Sequence, residues 1–154
     1  MERFRQQISM CKISEVTVND LDKINDLENR LNLNITKLNF FDHIISNKNF
    51  RFVKLISNKQ IIGILQFSWN KSECDIISIG VIEKFQKLNH GKKLVEYLKS
   101  LNFKNIYVEV SVNNKNAIMF YQRLNFLNIG LRKNYYKNKS SDAIIFKLEN
   151  FIKM

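Results

Sequence analysis

Ile79-Gly80-Val81-Ile82-Glu83-Lys84-Phe85-Gln86-Lys87-Leu88-Asn89-His90-Gly91-Lys92-Lys93-Leu94 decides how this chain folds, because here a strand pattern passes through a short basic loop straight into a helix pattern. A helix N-terminus carries backbone N–H groups without intrahelical partners and roughly half a positive charge. Lys87, Lys92 and Lys93 add full charges around it, so the junction suits an anion. The spacing is neither G-x-G-x-x-G nor G-x-x-x-x-G-K-[ST], which removes support for a dinucleotide fingerprint or a P-loop. On charge alone the plainer account, a loop of solvated lysines, is the stronger one.

Upstream, residues 50–57, 60–69 and 74–82 are rich in Ile, Val and Phe and are separated by Ser57-Asn58-Lys59 and Asn70-Lys71-Ser72, as in an antiparallel meander. Residues 10–16 read as a first strand. Thr17 or Asn19 can cap a helix through Leu21, Ile24 and Leu27, and Thr36 can cap a second one carrying Leu38, Phe40, Phe41, Ile44 and Ile45. Downstream of the junction, Leu94, Val95, Leu98 and Leu101 share one helix face. Residues 104–112 then alternate, with Ile106, Val108, Val110 and Val112 on one face and Tyr107, Glu109 and Ser111 on the other. Ala117, Ile118, Phe120, Tyr121 and Leu124 return to helical spacing behind Asn113 or Asn114 as the cap. Two closing strands, about 127–134 and 142–148, flank a polar connection. The order βααβββαβαββ predicts a mixed α/β fold, a single, largely antiparallel sheet flanked by helices.

A length of 154 residues predicts one domain over 1–154. With 45% hydrophobic and 25% charged residues, disorder and a disulfide-stapled miniprotein are excluded. The net charge of +11 points to an anionic partner such as nucleic acid, nucleotide or anionic lipid. Cys11 and Cys74 lie in no metal or disulfide spacing, so no metal is expected, and a reducing cytoplasm fits. No stretch has the length and apolarity of a secretory h-region or a membrane span, so a soluble, unprocessed protein is expected. Proline is absent and only Gly63, Gly80, Gly91 and Gly130 occur, so Asn is expected to stand where other chains use Gly.

Gln86-x-x-Asn89-x-Gly91 after a strand resembles the pyrophosphate loop, Q/R-x-x-G-x-G/A, of the GCN5-related N-acetyltransferases. Further blocks follow in order: Val108-Glu109-Val110, Asn114, Ala117-Ile118-x-x-Tyr121-x-x-Leu124-Asn125-Phe126, Arg132-Lys133-Asn134-Tyr135-Tyr136 and Asp142-Ala143-Ile144-Ile145. From residue 74 to 148 these are similar to the bacterial ribosomal-protein-alanine acetyltransferase branch; the N-terminal third matches only in its order of elements. The chain departs from the family at Asn89 and Asn125, both family glycines, at Glu83, a frequent proline, and at Ser111, an arginine common in this branch. Asn is the residue that next most readily takes φ > 0, so the backbone trace is expected to survive both glycine replacements.

The resemblance implies an acetyl-CoA-dependent enzyme of that fold. The backbone of Ile79, Gly80 and Val81 would hold the pantetheine arm; Lys87, Leu88, Asn89, His90, Gly91 and Lys92 would wrap the diphosphate; Asn114 would contact the cofactor. Glu109 would be the general base and Tyr121 the general acid. The acceptor implied is a protein N-terminal α-amine, on a small-subunit ribosomal protein beginning with alanine, with no specific nucleic acid or membrane partner. Without the resemblance, Glu109 reads as a solvated glutamate on an open strand face, Tyr121 as a core tyrosine, His90 as a solvent-facing loop histidine, and His43 as a helix-surface or partly packed residue with no special role. Tyr135 and Tyr136 line a groove or pack the sheet. An acetyltransferase for small amines or lysine side chains, and a non-catalytic basic RNA- or ribosome-binding domain, are the alternatives.

Overall fold

A computed structural model describes residues 11–31, 48–136 and 141–151. Its strands are β1 (Cys11–Glu15), β2 (Phe50–Ser57), β3 (Gln60–Asn70), β4 (Glu73–Val81), β5 (Asn105–Ser111), β6 (Leu127–Tyr136) and β7 (Ser141–Glu149). Its helices are α1 (Leu21–Arg30), α2 (His90–Ser100) and α3 (Lys115–Arg123), with short 3-10 turns at Val18–Asp20 and Glu83–Phe85. The strands form one seven-stranded sheet in the order β1-β2-β3-β4-β5-β7-β6. β4 and β5 run parallel from Glu73 opposite Asn105 to Ile76 opposite Val108. β1 with β2, β5 with β7 and β6 with β7 are antiparallel. This is the expected mixed α/β fold with a largely antiparallel sheet.

The described residues fall into two compact units, those within Met1–Phe67 and Ser78–Tyr97, and those within Ser68–Ile77 and Leu98–Met154. In the first, β3 is buried without interruption from Ile62 to Phe67, the mark of a strand covered on both faces. Leu94 and Val95 of α2 join this core, and Tyr97 meets Phe67 edge to face at 6.3 Å. Gly63 serves a close approach: a Cβ there would lie 3.1 Å from the Gly80 carbonyl oxygen. In the second unit Ile106, Val108 and Val110 of β5 are buried with Ala143, Phe146 and Leu148 of β7. The alternation expected along β5 holds there, but Val112 lies past the strand end and is exposed.

Eight described residues have φ > 0, and none is glycine: Asn58, Lys59, Lys71, Lys87, Asn89, Asn102, Asn125 and Asn134. The Asn58-Lys59 pair has φ of 48° and 63°, the signature of a two-residue hairpin turn, and it joins β2 to β3. Asn therefore does stand where glycine is usual. Thr17 begins the 3-10 turn before α1, where its N–H donates to the Asp20 carboxylate at 2.8 Å. The helix expected behind Thr36, with His43, lies outside the described residues.

Candidate active site

At the end of β4, Ile79 and Gly80 are half-buried and Val81 is buried. The chain then turns through Lys87 at φ 61° and Asn89 at φ 65° before entering α2. Two side chains hold this turn. The Gln86 amide donates from Nε2 to the Val81 carbonyl at 2.8 Å, so one backbone acceptor assigned to the pantetheine arm is already engaged by the loop. His90 Nδ1 donates to the Phe85 carbonyl at 2.8 Å, with its ring edge-on to that of Phe85. His90 is thus a half-buried brace of the loop, and not the solvent-facing residue its position suggests.

The first helical bond of α2 runs from the Lys93 N–H to the Asn89 carbonyl at 3.1 Å. That geometry leaves the N–H groups of His90, Gly91 and Lys92 without intrahelical acceptors. The side chains of Lys87, Leu88, Asn89 and Lys92 are exposed. Asn89 accepts the left-handed turn that a family glycine would make and keeps its side chain in solvent. A turn of this kind opening on a free helix N-terminus with two exposed lysines fits a diphosphate.

The other expected residues, Glu109, Asn114 and Tyr121, belong to the second unit. Glu109 lies on β5 with its side chain 23% exposed, and its Oε1 pairs with a guanidinium nitrogen of Arg132 on β6 at 3.0 Å. Its Oε2 is buried with no hydrogen-bond partner among the described residues. The neighbouring carboxyl of Asp75 on β4 is raised above the usual carboxylate range by desolvation, then by the charges of Glu109 and Glu73. Glu73 itself is held below that range, first by the Asn105 amide, which donates to its Oε1 at 2.9 Å. Glu109 is therefore not a solvated surface glutamate; it sits in a set of interacting charges.

Tyr121 is 3% exposed, and its position is fixed by the end of α3. Asn125 takes φ 67° one residue past the helix cap Leu124. The Phe126 N–H then bonds the Tyr121 carbonyl, and the Asn125 N–H bonds the Gln122 carbonyl, both at 3.0 Å. This is the Schellman closure, with its usual apolar contact made by the Tyr121 and Phe126 rings at 5.1 Å. Phe120 at 5.0 Å and Phe146 at 6.1 Å complete the aromatic setting. At the other end of α3, Asn114 is the cap: its Oδ1 accepts from the Ala117 N–H at 3.1 Å. Ser111 Oγ accepts from the Asn113 N–H at 3.2 Å, a turn role at the position where the branch carries arginine.

Sequence reasoning missed two members of this set. Arg132 stood out only as part of a block, and Asp75 not at all; strand alternation with a register for β4, β5, β6 and β7 would have brought both beside Glu109. Cys74 is buried, and burial followed by the Asp75 charge pushes its thiol up to about 12, which leaves no thiolate for nucleophilic work near neutrality. Among the described residues no group of three or more His, Cys, Asp or Glu is placed to hold a metal ion, and no helix is long and apolar enough to cross a membrane.

Residues 18–126 match the acetyltransferase (GNAT) family. A [ribosomal protein bS18]-alanine N-acetyltransferase of Haemophilus influenzae is 28% identical over 137 residues, covering 85% of this chain and 91% of that protein. The solved ribosomal-protein-S18-alanine N-acetyltransferase of Escherichia coli superposes with a TM-score of 0.78 at 22% identity, over 94% of this chain and 97% of the other. A solved spermidine N-acetyltransferase chimera from Vibrio cholerae and hSSAT superposes with a TM-score of 0.80 at 17% identity, over 92% of this chain and 96% of the other. At these identities the structural likenesses show the fold alone.

Proposed function

The chain belongs to the acetyltransferase (GNAT) family, and from that premise we propose that it transfers acetyl from acetyl-CoA to the N-terminal α-amine of a protein, an Ala-starting small-subunit ribosomal protein. The observation that carries this reading is Glu109, a carboxylate with one oxygen held and the other buried without a hydrogen-bond partner among the described residues. Acyl transfer needs a neutral amine. An α-amine with a pKa of about 7.7 to 8.0 is already roughly a tenth to a fifth neutral at pH 7, whereas a lysine amine at about 10.4 is neutral in less than about one part in a thousand. A single carboxylate therefore suffices for the first and is poorly matched to the second, and general-base help is worth about 10² to 10⁴ in rate.

Acetyl-CoA supplies the acetyl group as a thioester. The N–H groups opening α2, with Lys87 and Lys92, hold its diphosphate, and the strand end at Ile79 and Gly80 receives the pantetheine arm. Glu109 Oε2 accepts the proton lost by the amine as nitrogen bonds the acetyl carbon. The Tyr121 hydroxyl returns a proton to the departing sulfur, since a phenol near pKa 10 can protonate a thiolate within hydrogen-bond reach. The high thiol pKa of Cys74 supports direct attack over transfer through an acyl-cysteine.

Intact-mass measurement after incubation with acetyl-CoA and an Ala-starting peptide is expected to show one added acetyl, lost when Glu109→Gln and Tyr121→Phe are combined. Unchanged activity in that double variant would remove the assigned roles. A second reading, acetylation of a small polyamine, draws on Asp75, whose carboxyl feels the negative charges of Glu109 and Glu73 in a chain of +11. Competition between the peptide and spermidine as acceptors separates the two.

A further inference from the structure

We propose that Arg132 is a positioning residue for Glu109: by holding Oε1 it turns Oε2 toward the amine and keeps that oxygen as the proton acceptor. The inference rests on the reading of Glu109 as the base. A guanidinium nitrogen lies 3.0 Å from Oε1, and with Oε2 lacking a hydrogen-bond partner among the described residues the pair is not a fork across both oxygens. A fork would occupy both oxygens of Glu109. As built, Oε2 is left buried and unpartnered among the described residues, an arrangement that costs desolvation unless a group arriving during the reaction satisfies it.

The pair is made across an intervening strand. On β7, Glu109 faces Ile145 while Arg132 of β6 faces Ala143, so the guanidinium reaches over β7 to the carboxylate. Arg132 brings positive charge to a carboxylate whose other close neighbour is like-charged: Asp75 on β4 feels both Glu109 and Glu73. Without Arg132 the Glu109 side chain would be free to swing away from Asp75, carrying Oε2 out of place. With Arg132 side chain 54% exposed, the pair contributes little to folding stability, which makes it a device for orientation and leaves the arginine open to substitution.

The test compares the unmodified chain with Arg132→Gln, Arg132→Lys, Glu109→Gln and the Glu109→Gln/Arg132→Gln double variant. It measures kcat and KM on a panel of Ala-, Ser- and Met-starting peptides, an internal-lysine peptide and spermidine. Misplacing a reacting group by a fraction of an ångström is expected to lower kcat about tenfold in Arg132→Gln, with the KM for acetyl-CoA unchanged. Lysine can reproduce a single N–O contact, so Arg132→Lys is expected to recover to within about threefold of the unmodified chain. In the Glu109→Gln background, Arg132→Gln is expected to cause no further loss.

If Glu109→Gln is impaired while Arg132→Gln is as fast as the unmodified chain or faster, the positioning role is overturned and the base assignment stands. An Arg132→Lys variant no better than Arg132→Gln, or an undiminished Arg132→Gln loss in the Glu109→Gln background, likewise overturns it. Full activity in Glu109→Gln, or no turnover of any acceptor by the unmodified chain, overturns the proposed function and this inference together.

Discussion

The turn into α2 and the setting of Glu109 and Tyr121 are built from different materials. In the first, backbone does the work: the chain turns through Lys87 and Asn89 in left-handed conformations, the N–H groups of His90, Gly91 and Lys92 have no intrahelical acceptors, and Gln86 and His90 brace the turn on the Val81 and Phe85 carbonyls. In the second, side chains do the work: Arg132 on Glu109, and Phe120, Phe126 and Phe146 around Tyr121. A backbone site asks only that a residue tolerate its φ, which is why Asn can replace a family glycine there. A side-chain site asks for particular atoms, and substitution there has no such latitude.

Variants can break that contrast. The largest effect is expected at Tyr121, where truncation empties an aromatic core: Tyr121→Ala should cost about 3 to 5 kcal/mol in urea unfolding, while Tyr121→Phe keeps the ring and stays within about 1 kcal/mol. A Phe variant as unstable as the Ala variant would show that the hydroxyl, and not the ring, holds the site. Next comes the turn. Asn89→Val forces a β-branched residue to φ 65° and should weaken acetyl-CoA binding about tenfold, measured by calorimetry, while Asn89→Gly should bind at least as well as the unmodified chain. Equal binding by the Val variant would mean that the turn does not serve the cofactor.

A smaller effect is expected at the cap of α3, where Asn125→Ala, at φ 67°, should lose about 1 kcal/mol. The remaining prediction is a pH effect. Glu28 on α1 is buried, and burial raises its carboxyl to about 7. A carboxyl raised in the folded state holds its proton where the unfolded chain has released it, so this residue lowers stability as pH climbs from the ordinary carboxyl value to about 7, and no further above that. Thermal melts should therefore place Glu28→Gln a few degrees above the unmodified chain at pH 8 and level with it at pH 4. A constant gap across that range would assign the difference to packing.

Much of the fold was legible because it rests on local rules. The hydrophobic period marked β2 to β5, α2 and α3, and the alternation along β5 already put Glu109 opposite the buried Ile106, Val108 and Val110. The resemblance at Leu124-Asn125-Phe126 implied a left-handed residue after the helix, and the Schellman closure is there. Other features were not legible. Cap spacing left Asn113 and Asn114 as alternatives, and it is the Asn114 side-chain oxygen that caps α3. His90 was expected to face solvent, and it braces the loop. In each case a short-range hydrogen bond claims a polar atom that sequence spacing leaves unassigned.

The sequence by itself determined where the chain bends and which residues tolerate a left-handed backbone, because sterics and hydrophobic period act within a few neighbouring residues. It also determined that a helix begins beside Lys87 and Lys92. The tertiary structure alone decided that Arg132 meets Glu109 and that Asp75 stands near it. The first depends on β7 lying between β5 and β6, the second on the parallel pairing of β4 with β5, each in its register. Such register is set by side chains far apart along the chain packing on common faces, and no local window of sequence contains it.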